Sequence, residues 1–136
     1  MRNVERFVLD SNIVVSAMMF PNSIPGQAFK KAFREGEVVV SRESMDGLSR
    51  TVLHPKFDRY VPLPLRQLFL QEFDLSTLSI QLTSVVNECR DPNDDHLLAL
   101  GVDAKAKVFI TGDRDLLTMH PFRGISLLSA AEFLMV

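Results

Sequence analysis

Four short apolar runs punctuate the chain: "RFVLD" (6–10), "EVVVS" (37–41), "KVFIT" (107–111) and "ISLLS" (125–129). Each is rich in β-branched or aromatic residues and bounded by polar ones, the pattern of a strand buried on both faces. Between them the apolar positions fall at helical spacing. "SIPGQAFKKAFREG" (23–36) starts on Ser–x–Pro and stops on Gly, which predicts a helix. Ser41 reads as the N-cap of a helix over 42–53, with Met45, Leu48 and Val52 on one face. Leu65, Leu68, Phe69 and Phe73 predict a helix over 64–77. Helices are also expected over 92–105 and 129–136, and a turn with a short helix over 112–119. In "FVLDSNIVVSAMMF" (7–20) the part after the strand reads as a loop. The segment 54–64 holds Pro55, Pro62 and Pro64 and reads as a short helical piece and a turn. Residues 78–90 are ambiguous, with room for one short strand.

Strands alternating with helices predict βαβ units, an α/β fold and a mainly parallel sheet. In such sheets polar sites gather at the carboxyl ends of the strands. Asp10 ends the first run, and Asp113 and Asp115 follow the run that ends at Thr111. If those two strands are neighbours, their acids converge on one sheet edge.

The length of 136 residues, 46% of them hydrophobic, suits one domain over 1–136 with a core that needs no crosslinks. Cys89 is the only cysteine, which excludes an intrachain disulfide and a cysteine-built zinc site and fits a reducing compartment. "FVLDSNIVVSAMMF" after Arg2 and Arg6 invites a signal-peptide reading, but Asp10 breaks its apolar run. The expectation is a cytoplasmic protein with no membrane partner. Net charge is −2, so no global basic field marks a nucleic-acid binder. The charge is uneven: residues 1–70 carry ten basic and seven acidic side chains, residues 71–136 five and ten. A phosphate-gripping half beside a metal-holding half would look like this, although chance is the simpler account.

The acids differ in how much local structure explains them. Asp91 before Pro92 suits N-cap followed by N1, and Asp94 three residues in favours the helix dipole. Asp95 is required by no capping rule and stands beside Leu97, Leu98 and Leu100, so it is the strongest functional candidate of the three. Asp10 fits an Asx-turn as well as a site. Asp113 and Asp115 fit a helix start, or two acids on one ion. Together they would crowd like charges with no fixed cation nearby in sequence, an arrangement that is costly unless a cation offsets it. Oxygen donors without cysteine or paired histidine favour Mg²⁺ or Mn²⁺. His54, His96 and His120 are scattered and read as ordinary surface or loop residues. The chain has no Gly-rich phosphate loop and no Gly–x–Ser–x–Gly elbow.

Four motifs in order, "VLDSNIVVSA" (8–17), "VVSRESMDGLSRTVLHPKFDRY" (39–60), "CRDPNDDHLLALG" (89–101) and "VFITGDRDLL" (108–117), resemble the PIN-domain ribonuclease family over nearly the whole chain. They most resemble its branch of toxins from toxin–antitoxin systems. The resemblance implies a three-layer α/β/α sandwich around a parallel sheet. It also implies Mg²⁺- or Mn²⁺-dependent cleavage of RNA by metal-activated water, leaving a 5′-phosphate and a 3′-hydroxyl. Asp10, Asp95 and Asp113 are the implied catalytic metal ligands, Asp115 and Asp91 supporting acids, and Asn12 and Thr111 pocket-shaping residues. A small antitoxin and a homodimer are the implied partners. One departure stands out. The family's second acid, a Glu six residues beyond the serine matched by Ser41, is Gly47 here. Glu43, one turn earlier, and Asp46 are candidate substitutes. Lys30, Lys31, Arg34, Arg42, Arg50, Lys56 and Arg59 are candidate RNA-backbone contacts.

Two rival classes stand beside the nuclease. The missing Glu suggests a non-catalytic RNA- or protein-binding module on the same fold. A phosphoryl-acceptor receiver domain would need an early acid pair, where this chain offers only Asp10 after Leu9.

Overall fold

The computed structural model describes residues 4–136. Five strands form one parallel sheet: β1 (Arg6–Leu9), β2 (Glu37–Val40), β3 (Leu78–Ser79), β4 (Val108–Ile110) and β5 (Ser126–Leu128). Their order is β3-β2-β1-β4-β5. The register sets Leu9 beside Ile110, Phe7 beside Val38 and Val39 beside Leu78. The chain builds outward from β1 on one side through β2 and β3, then returns to add β4 and β5 on the other. The carboxyl ends of β1 and β4 are therefore the switch point of the sheet, where open α/β folds leave a crevice.

Among the described residues seven α-helices cover the two faces: α1 (Ser11–Met19), α2 (Ile24–Glu35), α3 (Arg42–Val52), α4 (Leu63–Ser76), α5 (Asp95–Ala104), α6 (Arg114–Leu117) and α7 (Ala130–Leu134). Strand alternation sorts the core into two layers. Phe7, Leu9, Val38, Val40, Val108 and Ile110 face α1, α2, α3, α4 and α7. Val8, Val39, Phe109 and Leu127 face α5 and α6, chiefly Leu97, Leu98, Leu100 and Leu116. The result is the three-layer α/β/α sandwich with a parallel sheet that the sequence led us to expect.

Two local expectations need correction. Residues 11–19 form a helix, where the pattern read as a loop. Its Ile13, Val14 and Val15 are weak helix formers, but they are buried with Ala17 in the core. Packing outweighs propensity there. The helix expected from residue 92 begins as a 3-10 turn over Pro92–Asp94, and the α-helix proper starts at Asp95. That offset turns Asp94 and Asp95 in different directions, with consequences below.

Ser41 caps α3 as expected, its hydroxyl accepting from the Ser44 N–H at 3.0 Å. Residues 80–88 beyond β3 carry no regular secondary structure, and the chain bends at 89–90. The Asp103 carboxylate pins them by accepting from the Thr83 and Ser84 backbone N–H groups.

Candidate active site

Asp10 leaves β1 and occupies the N-cap position of α1 in extended backbone, yet its side chain makes no capping bond. The carboxylate instead accepts from the Thr111 hydroxyl at 2.7 Å, across the gap between the ends of β1 and β4. The same hydroxyl oxygen accepts from the Asp113 N–H at 3.0 Å. Thr111 is fully buried and links the two strand ends into one polar ledge. Asp113 caps α6, with one carboxylate oxygen accepting from the Asp115 N–H at 2.9 Å. Asp115 itself is exposed and reaches Arg90 at 3.5 Å.

A cavity of about 410 Å³ opens over this ledge. Asp10 and Asp94 line it from the sheet side and the turn before α5, and Gly47 and Arg50 line it from α3. Asp94 is half-buried, with no capping hydrogen bond. Burial, and after it the negative charges of Asp10, Asp91, Asp113 and Asp95, push its pKa up to about 6. The crowding of like charges anticipated from the sequence is therefore present, and it centres on Asp94.

Asp95 is placed differently. One of its oxygens accepts from the Cys89 N–H at 3.0 Å, and the residue lines a neighbouring groove together with Glu43 and Asp46. The sequence reading favoured Asp95 over Asp94 for the cluster; the geometry brings Asp94 to the cavity with Asp10, while Asp95 ties down the preceding loop. Cys89, buried against that carboxylate, has its thiol pushed up to about 12, first by burial and then by Asp95. It stays protonated at neutral pH and is no thiolate ligand.

The remaining expected residues divide. Asp91 is exposed and accepts from the Asn93 N–H at 3.0 Å, a capping role. Asn12 is exposed on α1 and does not line the cavity; its neighbour Ser11 does. Glu43 and Asp46, the candidate substitutes for the missing Glu, line the neighbouring groove and not the Asp10 cavity. A Cβ at Gly47 would meet only the Arg50 guanidinium, at 3.8 Å, so the position faces open space.

Among the candidate backbone contacts, Lys56 and Arg50 line the cavity. Lys31 does not contact RNA from where it lies. It is buried, donates to the carbonyls of Phe133 and Val136 at 2.6 Å each, and sits 4.6 Å over the Phe133 ring. Its role is to hold α7. Lys30 and Arg34 are exposed on α2, away from the cavity, and Arg42 borders a separate groove with Gln71 and Asp74. Arg59 lies against Tyr60, 5.7 Å from the ring centre. Two histidines were missed by the sequence reading. His54 and His96 both line the cavity. The buried His96 Nδ1 has no hydrogen-bond partner, and burial lowers its pKa against the opposing pull of Glu43, Asp10 and Asp95. Both lie inside motifs quoted above, 39–60 and 89–101, but no His–His spacing marks either one; only the return of α5 and the end of α3 to the same sheet edge does.

Hard oxygen donors, one of them with its pKa raised by burial and then by like charge, fit a divalent cation. Among the described residues, no three acids or histidines are already gathered into a coordinating set. Asp10 and Asp94 line the cavity, and Asp113 is tied to Asp10 through Thr111, without forming a finished cage.

The PIN-domain family model matches residues 6–115, and the chain belongs to that family, which is generally one of ribonucleases. It is 31% identical over 117 residues to the uncharacterised protein MJ1680 of Methanocaldococcus jannaschii, an alignment covering 85% of this chain and 75% of that one. Two solved structures share the fold. VapBC2 from Rickettsia felis, bound to a DNA fragment from its promoter, has a TM-score of 0.65 at 14% identity, covering 91% of this chain and 98% of that one. PAE2754 from Pyrobaculum aerophilum has a TM-score of 0.65 at 11% identity, covering 96% and 88%.

Proposed function

We propose that this protein is a Mg²⁺- or Mn²⁺-dependent endoribonuclease, the toxin of a toxin–antitoxin pair. The observation that carries the reading is Asp94, a half-buried carboxylate that lines the cavity with Asp10 and whose pKa is raised by burial and then by the charges of Asp10, Asp91 and Asp113. Asp10, Asp94 and Asp113 would hold the metal. When bound, it would neutralise phosphate oxygens and activate a water for attack at phosphorus. The chain's own residues prepare that chemistry. Thr111 orients Asp10 through its hydroxyl and fixes Asp113 through its N–H. Asp95 holds Cys89 and so the entry to α5, which presents Asp94.

A small antitoxin and a homodimer belong to the same reading, with support from the likeness to the VapBC2 complex. Among the described residues no helix is long and apolar enough to cross a membrane. The test is cleavage of single-stranded RNA by purified protein with Mn²⁺. Asp10→Asn and Asp94→Asn should each lower the rate by at least about 100-fold, while Asp95→Asn should keep most of it. Full activity in Asp94→Asn would sink the assignment.

Gly47 favours a second reading, a binding module that keeps the fold. Gly47→Glu separates the two. A large gain in Mn²⁺-dependent cleavage identifies a nuclease short of one ligand; no gain, with RNA or protein binding by the wild-type chain, identifies the module.

A further inference from the structure

The cavity has a wall that the acids do not occupy. Arg50 reaches it from α3, and His54 and Lys56 reach it from the strap between α3 and α4. Among the described residues neither Arg50 nor Lys56 is ion-paired with a carboxylate, although Asp10 and Asp94 line the same space. The His54 Nδ1 accepts from the Lys56 N–H at 3.0 Å, which puts the proton of the neutral ring on Nε2 as a free donor. Ser44 and Thr51 also line the wall, but their hydroxyls already donate to the Ser41 and Gly47 carbonyls. The wall's anion-seeking groups are thus Arg50, His54 and Lys56. Gly47 lies among them and brings no charge. A Glu there would stand within reach of the Arg50 guanidinium and neutralise it.

The strap is held by an unusual device. Residues 53–56 and 58–60 are exposed, so burial of apolar surface does little to fix their path. Beneath them the Arg66 side chain is 0% exposed. Its Nε donates to the Val61 carbonyl at 2.9 Å. One terminal nitrogen donates to the carbonyls of Val52 at 2.8 Å and His54 at 3.3 Å. The other pairs with Asp58. A guanidinium has a rigid fork of donors, and here all three nitrogens donate to the backbone and one side chain of residues 52–61. Burying such a group is costly. What it secures is the position of a strap whose cavity-facing side chains are His54 and Lys56.

We propose that this wall is a phosphate seat for the backbone of single-stranded RNA. Arg50 and Lys56 supply charge, the His54 Nε2–H supplies a directed hydrogen bond, and Arg66 is the positioning residue for the last two. The proposal rests on the ribonuclease reading for its substrate class alone; the seat itself works without metal and without cleavage.

The experiment is fluorescence anisotropy of a short labelled single-stranded RNA with the full chain in EDTA, titrated with salt. The double variant Arg50→Gln/Lys56→Gln should bind at least about 10-fold more weakly. Its slope of log affinity against log salt should flatten by about 1.4, or about 0.7 for each lost phosphate contact. Lys30→Gln/Arg34→Gln, which removes the same charge from α2, should bind within about 2-fold of wild type. Gly47→Glu should weaken metal-free binding. Arg66→Lys keeps the charge but loses the fork. With its fold checked by circular dichroism, it should lose affinity several-fold and flatten the salt slope, which a merely structural change would leave alone. Indifference of binding to Arg50 and Lys56, an equal loss in the α2 variant, or no RNA binding by wild type overturns the seat. The cleavage reading fails separately. If Mn²⁺ yields no product from wild type or from Gly47→Glu, the nuclease is lost while the binding result stands.

Discussion

Replacing Asp94 by Asn should make the metal-free protein more stable at neutral pH, at the expense of the site. The carboxyl's pKa rises from its ordinary 3.8 to about 6, chiefly through burial and then through Asp10, Asp91, Asp113 and Asp95. Below about pH 3.8 both folded and unfolded chains hold this proton, so there is no penalty. Between there and about pH 6 the folded chain keeps a proton that the unfolded chain releases, and stability falls as pH rises. Above about pH 6 the penalty is complete. Taken whole, that difference is worth about 3 kcal/mol. Asp94 is only half-buried, solvent screens its neighbours, and the helix dipole favours its charge by a few tenths. About 1 kcal/mol should remain, or roughly 3–5 °C in melting temperature for a chain of this size. No capping bond is lost, because the Asp94 side chain makes none. The assay is urea denaturation in EDTA at pH 7.5 and pH 3.5. The variant should gain about 1 kcal/mol at the higher pH and almost nothing at the lower. Excess Mn²⁺ should then stabilise wild type and leave Asp94→Asn nearly unmoved. A gain of equal size at both pH values, or none at either, would refute the reasoning.

Other expectations test the scaffold around the site. Leu98→Ala removes a side chain fully buried between α5 and the sheet, and should cost about 2–5 kcal/mol in urea denaturation. Arg66→Met leaves the carbonyls of Val52, His54 and Val61 without their donor and should cost about 3 kcal/mol, measured the same way. Cys89, with its thiol pushed up to about 12, should react with a thiol-specific reagent at pH 8 only as fast as the protein opens, and at the rate of a free thiol once it is denatured. Asp103→Ala should raise hydrogen exchange at the Thr83 and Ser84 amides, which its carboxylate holds, while β1 and β4 stay protected.

The sheet was legible because buried parallel strands leave little choice of residue. Phe7, Val8 and Leu9 and their counterparts in β2, β4 and β5 are apolar on both faces, and the helices between them advertise their period. α1 was illegible for a related reason. Ile13, Val14 and Val15 are buried together, so the helix has no polar stripe at that point to reveal its period. β3, two residues long, is defined by its register beside Val39 and Val40 and by little in its own composition.

The meeting of Asp10, Thr111 and Asp113 was legible, and which of Asp94 and Asp95 lines their cavity turns on geometry finer than the motif. Asp10, Thr111 and Asp113 follow strands, and strand neighbours fix where they meet. Asp94 and Asp95 are adjacent in a helix start, about 100° apart around its axis, and the 3-10 turn over Pro92–Asp94 decides which faces the cavity. Helix-dipole reasoning explained Asp94 away because an acid in a first turn is favourable there. Yet the same residue is the one destabilised by its neighbours, and a group can satisfy a local rule while violating a tertiary one. Gly47 follows that logic in reverse. Its cost to α3, about 0.5–1 kcal/mol relative to alanine, has no local return. Its effect is on the cavity, where no carboxylate at this position stands beside the Arg50 guanidinium. The substitution that looks like a loss on the acidic wall is what keeps the basic wall charged.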